Sequence, residues 1–412
     1  MSTPLARQAG MARLDLIFID AGGGHRASAT ALRDVIERQT RPWQTRLVNL
    51  RDILEPVDPI HNWTGIRVEN FYNGLLKYGV TFGTGAMLRT AQAIIRLTHE
   101  RQVASLARYW QERRPDMVLS LIPNFNRALF EGLRAADRAT SRPRTPMATI
   151  LTDLADYPPH FWIEQQEQFL ICGTEAAAAQ AIRMGHPAPR VFRTSGMIVR
   201  PEFYERPVMD RARERKRLGL DPELPTGIVM FGGYGSRQML TIARRIAASG
   251  EHAQMIFMCG HNAELASRLV QMRLPFPCRI EGFTRDVARY MAVADFFIGK
   301  PGPGSISEAL VMGLPVIVER NTWTMVQERF NTDWVADNEV GIVLRSFSDV
   351  AEGVAEMIDP ERLRHFRERV AAMNNRAVFE IPEIVESILE MPRTHETEAE
   401  MPSLGPLSLA TA

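Results

Sequence analysis

The chain has 412 residues, of which 45% are hydrophobic and 24% are charged. This is the composition of a globular protein, so fibrous and disordered classes are excluded, and the length predicts about two to three domains. Lysine and arginine number 49 against 48 acidic residues, a balance that argues against a nucleic-acid partner.

The cysteines and the N-terminus indicate the compartment. Cys172, Cys259 and Cys278 lie in or beside apolar runs, which predicts core thiols in a reducing environment. No CxxC or HExxH motif is present, so no metal site is predicted. The basic N-terminus is not followed by a long apolar segment, which predicts neither a secretory signal nor a spanning helix. We expect a cytoplasmic protein.

Short apolar runs alternate with helical stretches along the whole chain. Such runs predict parallel sheets covered by helices on both faces, and each half is expected to form its own doubly wound α/β domain. The runs are LDLIFID, MVLSLIP, MATILTDL, QFLICG and VFRTSG in the first half, then GIVMFGG, QMIFMCG, CRIEGF, DFFIGK and LPVIV in the second.

A charged segment with three prolines, at residues 199–224, marks the predicted domain boundary. We therefore predict an N-terminal domain at 1–204 and a C-terminal domain at 205–392, which includes the final helix FEIPEIVESILEM. The polar tail at 393–412 offers little to bury and is expected to be mobile.

The segment at residues 60–114 departs from the alternation of strands and helices. It mixes apolar residues with arginines, which fits either a helix on an anionic membrane surface or a pair of helices packed on the sheet. The residues concerned are Met87, Leu88, Ala91, Ile94, Ile95 and Leu97, with Arg89, Arg96, Arg101 and Arg108.

The loop AGGGHR follows the first predicted strand and opens the first helix. Its spacing Gly22-x-Gly24-x-x-Ala27 fits the dinucleotide fingerprint, but the acidic residue expected after the second strand comes late, at Asp52. His25 lies at the helix N-terminus, where an imidazole tends to stay neutral. It is therefore a candidate general base or hydrogen-bond partner.

The stretch FIGKPGPGSISEALVMGLPVIV, Phe297 to Val318, predicts a strand, a glycine-rich loop, a helix and a second strand. Free N–H groups at a helix start attract an anion, and Glu308 can accept hydrogen bonds from sugar hydroxyls one turn later. Ser305 and Glu308 also fit a capping box, which leaves the preceding glycines unexplained. We favour a site for a phosphate beside a sugar, which indicates a nucleotide.

Four motifs together resemble the family 28 glycosyltransferases: AGGGHRASA, LTDL, GMIVRPEF and GKPGPGSISEALVMGLPVIV. The similarity is nearest to the group of monogalactosyldiacylglycerol synthases and processive diacylglycerol glucosyltransferases, and it covers roughly residues 14 to 345. It implies two Rossmann-like domains facing a cleft, the glycosyltransferase B fold.

The resemblance implies a donor site in the C-terminal half. Glu308 would hold the ribose hydroxyls of a UDP-sugar, with Gly304 and Ser305 at the diphosphate end. Phe283 and Thr284 would lie beside uracil, although burial in the core is an equal alternative for Phe283. A second glycine-rich donor loop is implied at Gly233 and Ser236.

Three further donor residues follow from the same resemblance. Gln327 and Glu328 would contact hydroxyls of the donor sugar, unless they only form a solvated helix face. Arg200 would lie near the diphosphate, unless it simply pairs with Glu202 or Glu205.

The acceptor side depends mainly on His25 and Asp153. Asp153 ends the strand ATILTD at the carboxyl edge of the sheet, although an aspartate there also suits a turn cap. Either residue can be the base that takes the proton of the acceptor hydroxyl. His160 is an acceptor-pocket or packing residue, and Gly23 and Gly24 are predicted to contact the acceptor.

We therefore predict an inverting, metal-independent glycosyltransferase with a UDP-sugar as co-substrate and no other cofactor. A lipid such as diacylglycerol, on the inner face of the cell membrane, is the expected acceptor. The loop ERNTWTMVQ departs from the small polar loop of lipid galactosyltransferases, so a hexose and an N-acetylhexosamine both stay open. A nucleotide-sugar epimerase and a non-catalytic nucleotide-sugar or lipid-binding protein are the alternatives.

Overall fold

The computed structural model describes residues 11–20, 24–54, 95–157, 160–205, 209–322 and 324–393. Three predictions lie wholly or mostly outside the described residues. They are the mobile tail, most of the arginine-rich segment at 60–114, and the acceptor contact of Gly23.

The N-terminal domain is built on a sheet of six parallel strands. They are β1 (Ala12–Phe18), β2 (Trp43–Asn49), β3 (Met117–Ser120), β4 (Met147–Ile150), β5 (Phe169–Cys172) and β6 (Val191–Arg193). Their order is β2-β1-β3-β4-β5-β6, and Leu16 of β1 pairs with Leu47 on one side and Leu119 on the other. The order reverses between β1 and β3, as in a doubly wound sheet.

Helices cover both faces of this sheet. They are α1 (Gly24–Arg38), α2 (Leu50–Leu54), α3 (His99–Arg113), α4 (Asn126–Ala139) and α5 (Glu175–Arg183). Helix α3 is the described end of the arginine-rich segment. It buries Leu106 and Trp110 against the sheet and α4 and leaves Arg101 and Arg108 exposed, so this part packs on the sheet.

The C-terminal domain repeats the design with a second parallel sheet. Its strands are β7 (Thr226–Met230), β8 (Gln254–Met258), β9 (Cys278–Glu281), β10 (Phe296–Gly299), β11 (Val316–Glu319) and β12 (Gly341–Leu344). The order is β12-β11-β10-β7-β8-β9, with the reversal between β7 and β10. The prediction of two doubly wound α/β domains is confirmed, although β12 is an additional strand.

The remaining helices follow this sheet along the chain. They are α6 (Arg211–Arg217), α7 (Gln238–Ser249), α8 (Ala263–Gln271), α9 (Val287–Val293), α10 (Pro303–Val311), α11 (Val326–Asp337), α12 (Val350–Ile358), α13 (Pro360–Met373) and α14 (Ala377–Glu390). Short 3-10 turns lie at Ala188–Arg190, Pro201–Phe203 and Phe347–Asp349.

The final helix α14 departs from the predicted division of the chain, which groups it with the C-terminal domain. Its buried side chains Ile381, Val385 and Ile388 share a core with Leu14 and Leu32 of the N-terminal domain. An apolar stripe with this spacing identifies a buried helix but does not specify the sheet on which it packs. The helix covers α1 and thereby completes the N-terminal core.

The two reversals of strand order position the functional loops. The loops after β1 and β7 carry the predicted glycine motifs, and the glycine-rich loop before α10 follows β10. Open α/β sheets bind their ligands at the carboxyl edge where the strand order reverses. The described ends of β1, β7 and β10 therefore lie at the ligand-binding edges of the two sheets.

Candidate active site

Residues of the two domains meet across a cleft between these edges. Tyr157, in the loop after β4, stacks on Phe330 of α11 with ring centroids 5.3 Å apart. Arg200, on the segment between the domains, pairs with Glu308 of α10, with 3.5 Å between Nε and Oε1. The first contact joins the loop after β4 to α11, and the second joins two of the predicted donor residues.

The glycine-rich loop after β10 leads directly into α10. The helix begins at Pro303 with Gly302 as N-cap, and no side chain caps it. Ser305 therefore lies inside the first turn, and the capping-box alternative does not hold. N–H groups of a first turn have no partner within the helix, and Gly304 has open space beside its Cα. An anion can therefore approach the main chain here.

Glu308 lies on the second turn of α10, with 19% of its side chain exposed. Burial raises the pKa of this carboxyl to about 7, against the opposing effect of Arg200 and with a smaller contribution from the charge of Glu202. Arg200 also pairs with Glu202 at 2.8 Å, whereas Glu205 pairs with Arg38. The predicted diphosphate arginine and the predicted ribose acid are thus in direct contact.

Gln327 and Glu328 lie in the first turn of α11, beside the glycine-rich loop. Glu328 is only 7% exposed, and its Oε1 lies 3.0 Å from Nζ of Lys300. Gln327 is half-buried, and its Oε1 is buried without a hydrogen-bond partner. A solvated helix face is therefore excluded for both residues. An unpaired buried amide oxygen is costly in a folded protein unless a ligand or a water molecule supplies a donor.

The predicted uracil residue Phe283 lies at the surface, with 56% of its area exposed, so the core alternative does not hold. Its ring stacks on His261, with centroids 3.9 Å apart and planes 18° from parallel. Tyr234 lies tilted against the same His261 at 5.8 Å. The hydroxyl of Thr284 accepts the backbone N–H of Asp286 at 3.0 Å. Exposed aromatic faces of this kind suit the flat face of a nucleobase.

The second glycine-rich loop, after β7, is tied to the same aromatic group. The carbonyl of Gly233 accepts the N–H of His261 at 2.8 Å. Gly260 has a φ of +58°, and a Cβ there would collide with that carbonyl oxygen, so this close approach requires glycine. The hydroxyl of Ser236 accepts the N–H of Gln238 at 3.3 Å, at the start of α7. Gly233 thus contacts the aromatic group through His261, and Ser236 lies at the start of α7.

On the side predicted to bind the acceptor, Asp153 is held by a tryptophan. Its Oδ2 accepts the indole N–H of Trp162 at 2.8 Å, a contact across the loop and unlike the local backbone contact of a turn cap. Burial raises the pKa of Asp153 to about 6, although the hydrogen bond from Trp162 lowers it. The negative charge of Glu328 raises the pKa of Asp153 and the positive charge of Lys300 lowers it, and both residues belong to the other domain.

His25 lies next to this pair, at the start of α1. The hydroxyl of Thr152 is 3.2 Å from its Nδ1, and its ring centroid is 5.9 Å from that of Trp162. Burial lowers the pKa of His25 to about 4, despite a hydrogen bond with the backbone of Leu121. The imidazole is therefore neutral at physiological pH, chiefly because of its burial. Neighbouring Gly24 is exposed, with open space beside its Cα.

Asp156 is a site residue absent from the predicted set. It is buried and accepts four backbone N–H groups, which closes the loop that carries Trp162. The donors are His160, Phe161, Trp162 and Ile163. The signal in the sequence is the second aspartate of TDLADYPPHFW. His160 is exposed and has a φ of 65°, so the packing alternative for its side chain does not hold.

Known proteins resemble this chain over most of its length. The glycosyltransferase family 28 C-terminal domain matches residues 228–401. A probable monogalactosyldiacylglycerol synthase 2 of Oryza sativa is 28% identical over 410 residues, which cover 95% of this chain and 84% of that protein. Monogalactosyldiacylglycerol synthase 1 of Arabidopsis thaliana is 28% identical over 84% of this chain and 64% of its own length. The C-terminal half of this chain therefore matches the family 28 domain, and the chain is a glycosyltransferase similar to the monogalactosyldiacylglycerol synthases.

Solved structures share the fold of this glycosyltransferase. MurG of Acinetobacter baumannii gives a TM-score of 0.55 at 13% identity, over 91% of this chain and 99% of its own. HepE of Anabaena, solved with UDP and glucose, gives a TM-score of 0.52 at 14% identity. The match covers 92% of this chain and 100% of its own. A putative UDP-N-acetylglucosamine 2-epimerase of Listeria monocytogenes gives a TM-score of 0.57 at 12% identity. The match covers 94% of this chain and 100% of its own. The predicted glycosyltransferase B fold is confirmed, and proteins of more than one class share it.

Among the described residues, no helix has both the length and the apolar character that crossing a bilayer demands. Within the same ranges, no group of three or more His, Cys, Asp or Glu side chains is arranged to hold a metal ion.

Proposed function

We propose that this glycosyltransferase is an inverting enzyme that moves a hexose or N-acetylhexosamine from a UDP-sugar to a lipid hydroxyl. The carrying observation is the position of Asp153, which lies within electrostatic reach of Glu328 and Lys300 in the opposite domain. Direct displacement at an anomeric carbon needs a base on one side of the sugar and charge stabilisation on the other. The names of its plant relatives support diacylglycerol as the acceptor class.

In this proposal the C-terminal domain holds the donor. The diphosphate lies at the start of α10 beside Arg200, the ribose hydroxyls contact Glu308, and uracil lies against Phe283. Gln327 and Glu328 then contact the sugar. The unpaired amide oxygen of Gln327 supports this assignment, because a sugar hydroxyl is a suitable donor for it.

Asp153 is the better of the two candidate bases. A base is most effective when its pKa lies near the working pH, and the pKa of Asp153 is raised to about 6 whereas that of His25 is lowered to about 4. The acceptor oxygen attacks the anomeric carbon while its proton passes to Asp153, and the bond to the diphosphate breaks. One displacement inverts the configuration. His25, as a neutral imidazole, orients the acceptor hydroxyl.

We propose that the departing UDP is stabilised by the α10 N-terminus and Arg200, without a metal ion or a resident cofactor. The enzyme would act from the cytoplasm on the inner face of the cell membrane, where a lipid acceptor presents its hydroxyl. Exposed Arg101 and Arg108 of α3 support contact with anionic lipids. The nearly equal numbers of basic and acidic residues argue against a nucleic-acid partner.

The test is a UDP-release assay across several UDP-sugars, with and without vesicles that contain diacylglycerol. We expect UDP release that requires vesicles, with glycolipid as the second product. Asp153→Asn should lower kcat by about 10²- to 10⁴-fold, the usual contribution of a general base, and leave UDP affinity unchanged. His25→Gln should lower kcat less and also leave UDP affinity unchanged.

Three outcomes would replace the proposal. Conversion of a UDP-sugar into its isomer without lipid would indicate an epimerase. Binding without UDP release under any acceptor would indicate a non-catalytic nucleotide-sugar or lipid-binding protein. An unchanged rate in Asp153→Asn would remove that carboxylate from the mechanism.

A further inference from the structure

Trp162 is the side chain that links the two candidate catalytic groups. It is completely buried, its indole N–H donates to Oδ2 of Asp153 at 2.8 Å, and its ring lies 5.9 Å from that of His25. An indole has a single N–H donor and no acceptor, so it cannot take the proton of the acceptor hydroxyl itself. Its contribution must come through the groups that it contacts.

The backbone of Trp162 is fixed from both sides. Its N–H donates to Oδ1 of Asp156 at 2.8 Å, and its carbonyl accepts from the amide of Asn126 at 3.0 Å. Asn126 is completely buried at the start of α4, where Ser120 donates to its amide oxygen at 2.6 Å. The indole is therefore held by a network that reaches back to the central strand β3.

We propose that Trp162 is a positioning residue, whose indole N–H fixes the carboxylate of Asp153 so that one oxygen is occupied and the other faces the acceptor hydroxyl. The inference rests on the proposed function, in which Asp153 is the base. A base must lie within hydrogen-bond distance of the proton that it takes, so this orientation affects turnover.

The charged groups that face Asp153 come from three elements. Asp156 lies on the same loop, Lys300 follows β10, and Glu328 belongs to α11. None of these changes when the indole is replaced. A hydrogen bond to the ionised form stabilises it, so loss of the indole donor raises the pKa of Asp153. The base is active when ionised, and the acidic limb of the pH profile of kcat therefore moves to higher pH.

The experiment compares Trp162→Phe with Trp110→Phe. Trp110 is a matched control, because it is also buried in the N-terminal domain and its indole N–H donates to a buried aspartate, Asp15, at 3.2 Å. We expect Trp162→Phe to move the acidic limb up by about one pH unit and to lower kcat at pH 6 at least about fivefold. Trp162→Phe should leave KM for the UDP-sugar unchanged. Trp110→Phe should leave the acidic limb of the pH profile of kcat unchanged.

A second measurement detects the hydrogen bond between Trp162 and Asp153 without an activity assay. In the wild-type protein, the indole N–H resonance that disappears in Trp162→Phe should titrate with a midpoint of about 6, the pKa of Asp153. The titration should be absent in Asp153→Asn. Two results would overturn the positioning role if the wild-type protein still transfers sugar. One is an indole resonance that does not respond to pH, and the other is an acidic limb of the kcat profile that does not move in Trp162→Phe. Wild-type protein that transfers no sugar would overturn the proposed function, and the titration would still decide whether the contact exists.

Discussion

Glu308 is a side chain in the cleft whose burial reduces stability at neutral pH. Its pKa is raised to about 7 from an ordinary 4.5, chiefly by burial. Between these values the folded protein holds a proton that the unfolded chain releases, so stability falls as the pH rises through this window. Above pH 7 the whole cost is present. Arg200 at 3.5 Å compensates only in part.

We predict that Glu308→Gln is more stable than the wild type at pH 8, by on the order of 1–3 kcal/mol, and equal to it near pH 4. The amide cannot ionise, so it does not incur the cost of a buried charge. Urea unfolding at the two pH values measures the difference. Glu264→Gln is the control, because Glu264 lies on α8 with 77% of its side chain exposed.

The same variant should bind UDP about 10- to 100-fold more weakly, because hydrogen bonds to a charged group contribute roughly 1.5–3 kcal/mol. Calorimetric titration with UDP gives the affinity. A variant that gains stability and loses affinity has the profile of a ligand-binding residue. A variant that loses stability at pH 8 and binds UDP normally would assign Glu308 a structural role.

At the scale of elements, the loop after β4 depends on Asp156 using both of its oxygens. Oδ1 accepts the N–H groups of Phe161 and Trp162, and Oδ2 accepts those of His160 and Ile163. An asparagine has a single side-chain oxygen. In either orientation of the amide, two N–H groups would face an NH₂ group instead of an acceptor.

We predict that Asp156→Asn costs about 1–3 kcal/mol of stability and opens this loop to proteolysis. Limited proteolysis with mapping of the cleavage sites locates the opening. Asp359→Asn is the control, because Asp359 caps α13 with one oxygen that accepts both Glu361 and Arg362. UDP affinity should not change, since the proposed donor loops belong to the other domain. Cleavage elsewhere, with this loop intact, would contradict the prediction.

The strands and glycine-rich loops were predictable because their signals are local. An apolar run such as FFIG identifies a buried strand, and the glycines after it identify the start of α10. The contact between Trp162 and Asp153 has no such signal, because the two residues meet only after Asp156 has closed the loop. His261 is similar, since its stacking on Phe283 joins loops after β8 and β9.

At the scale of the whole molecule, the chain passes between the domains twice. It leaves the N-terminal domain after β6 and returns at α14, where Asn375 donates to the carbonyl of Met197 at 2.9 Å. The apolar positions of α14 were visible in the sequence, but their partner was not. An apolar stripe identifies a buried helix, but it does not specify the sheet on which that helix packs.

The return of α14 makes a prediction about where the molecule loses stability. Ile381 is 1% exposed and lies in the core of the N-terminal domain with Leu14 and Leu32. We predict that Ile381→Ala costs about 2–5 kcal/mol, because it removes buried methyl groups and leaves a cavity. Hydrogen exchange should report faster opening in β1 and α1, although the substitution lies in the last helix of the chain.

Glu383→Ala is the matched control, because Glu383 is exposed on the same helix and its loss should change stability by less than about 0.5 kcal/mol. Comparison of the two variants by hydrogen exchange shows which domain loses protection when Ile381 is replaced. Protection lost in β7 and β8 instead of β1 would show that α14 stabilises the C-terminal domain. If protection falls in β1 and α1 alone, then the last helix of the chain stabilises the domain that holds Asp153 and His25. Its removal would then affect the N-terminal domain before the C-terminal domain.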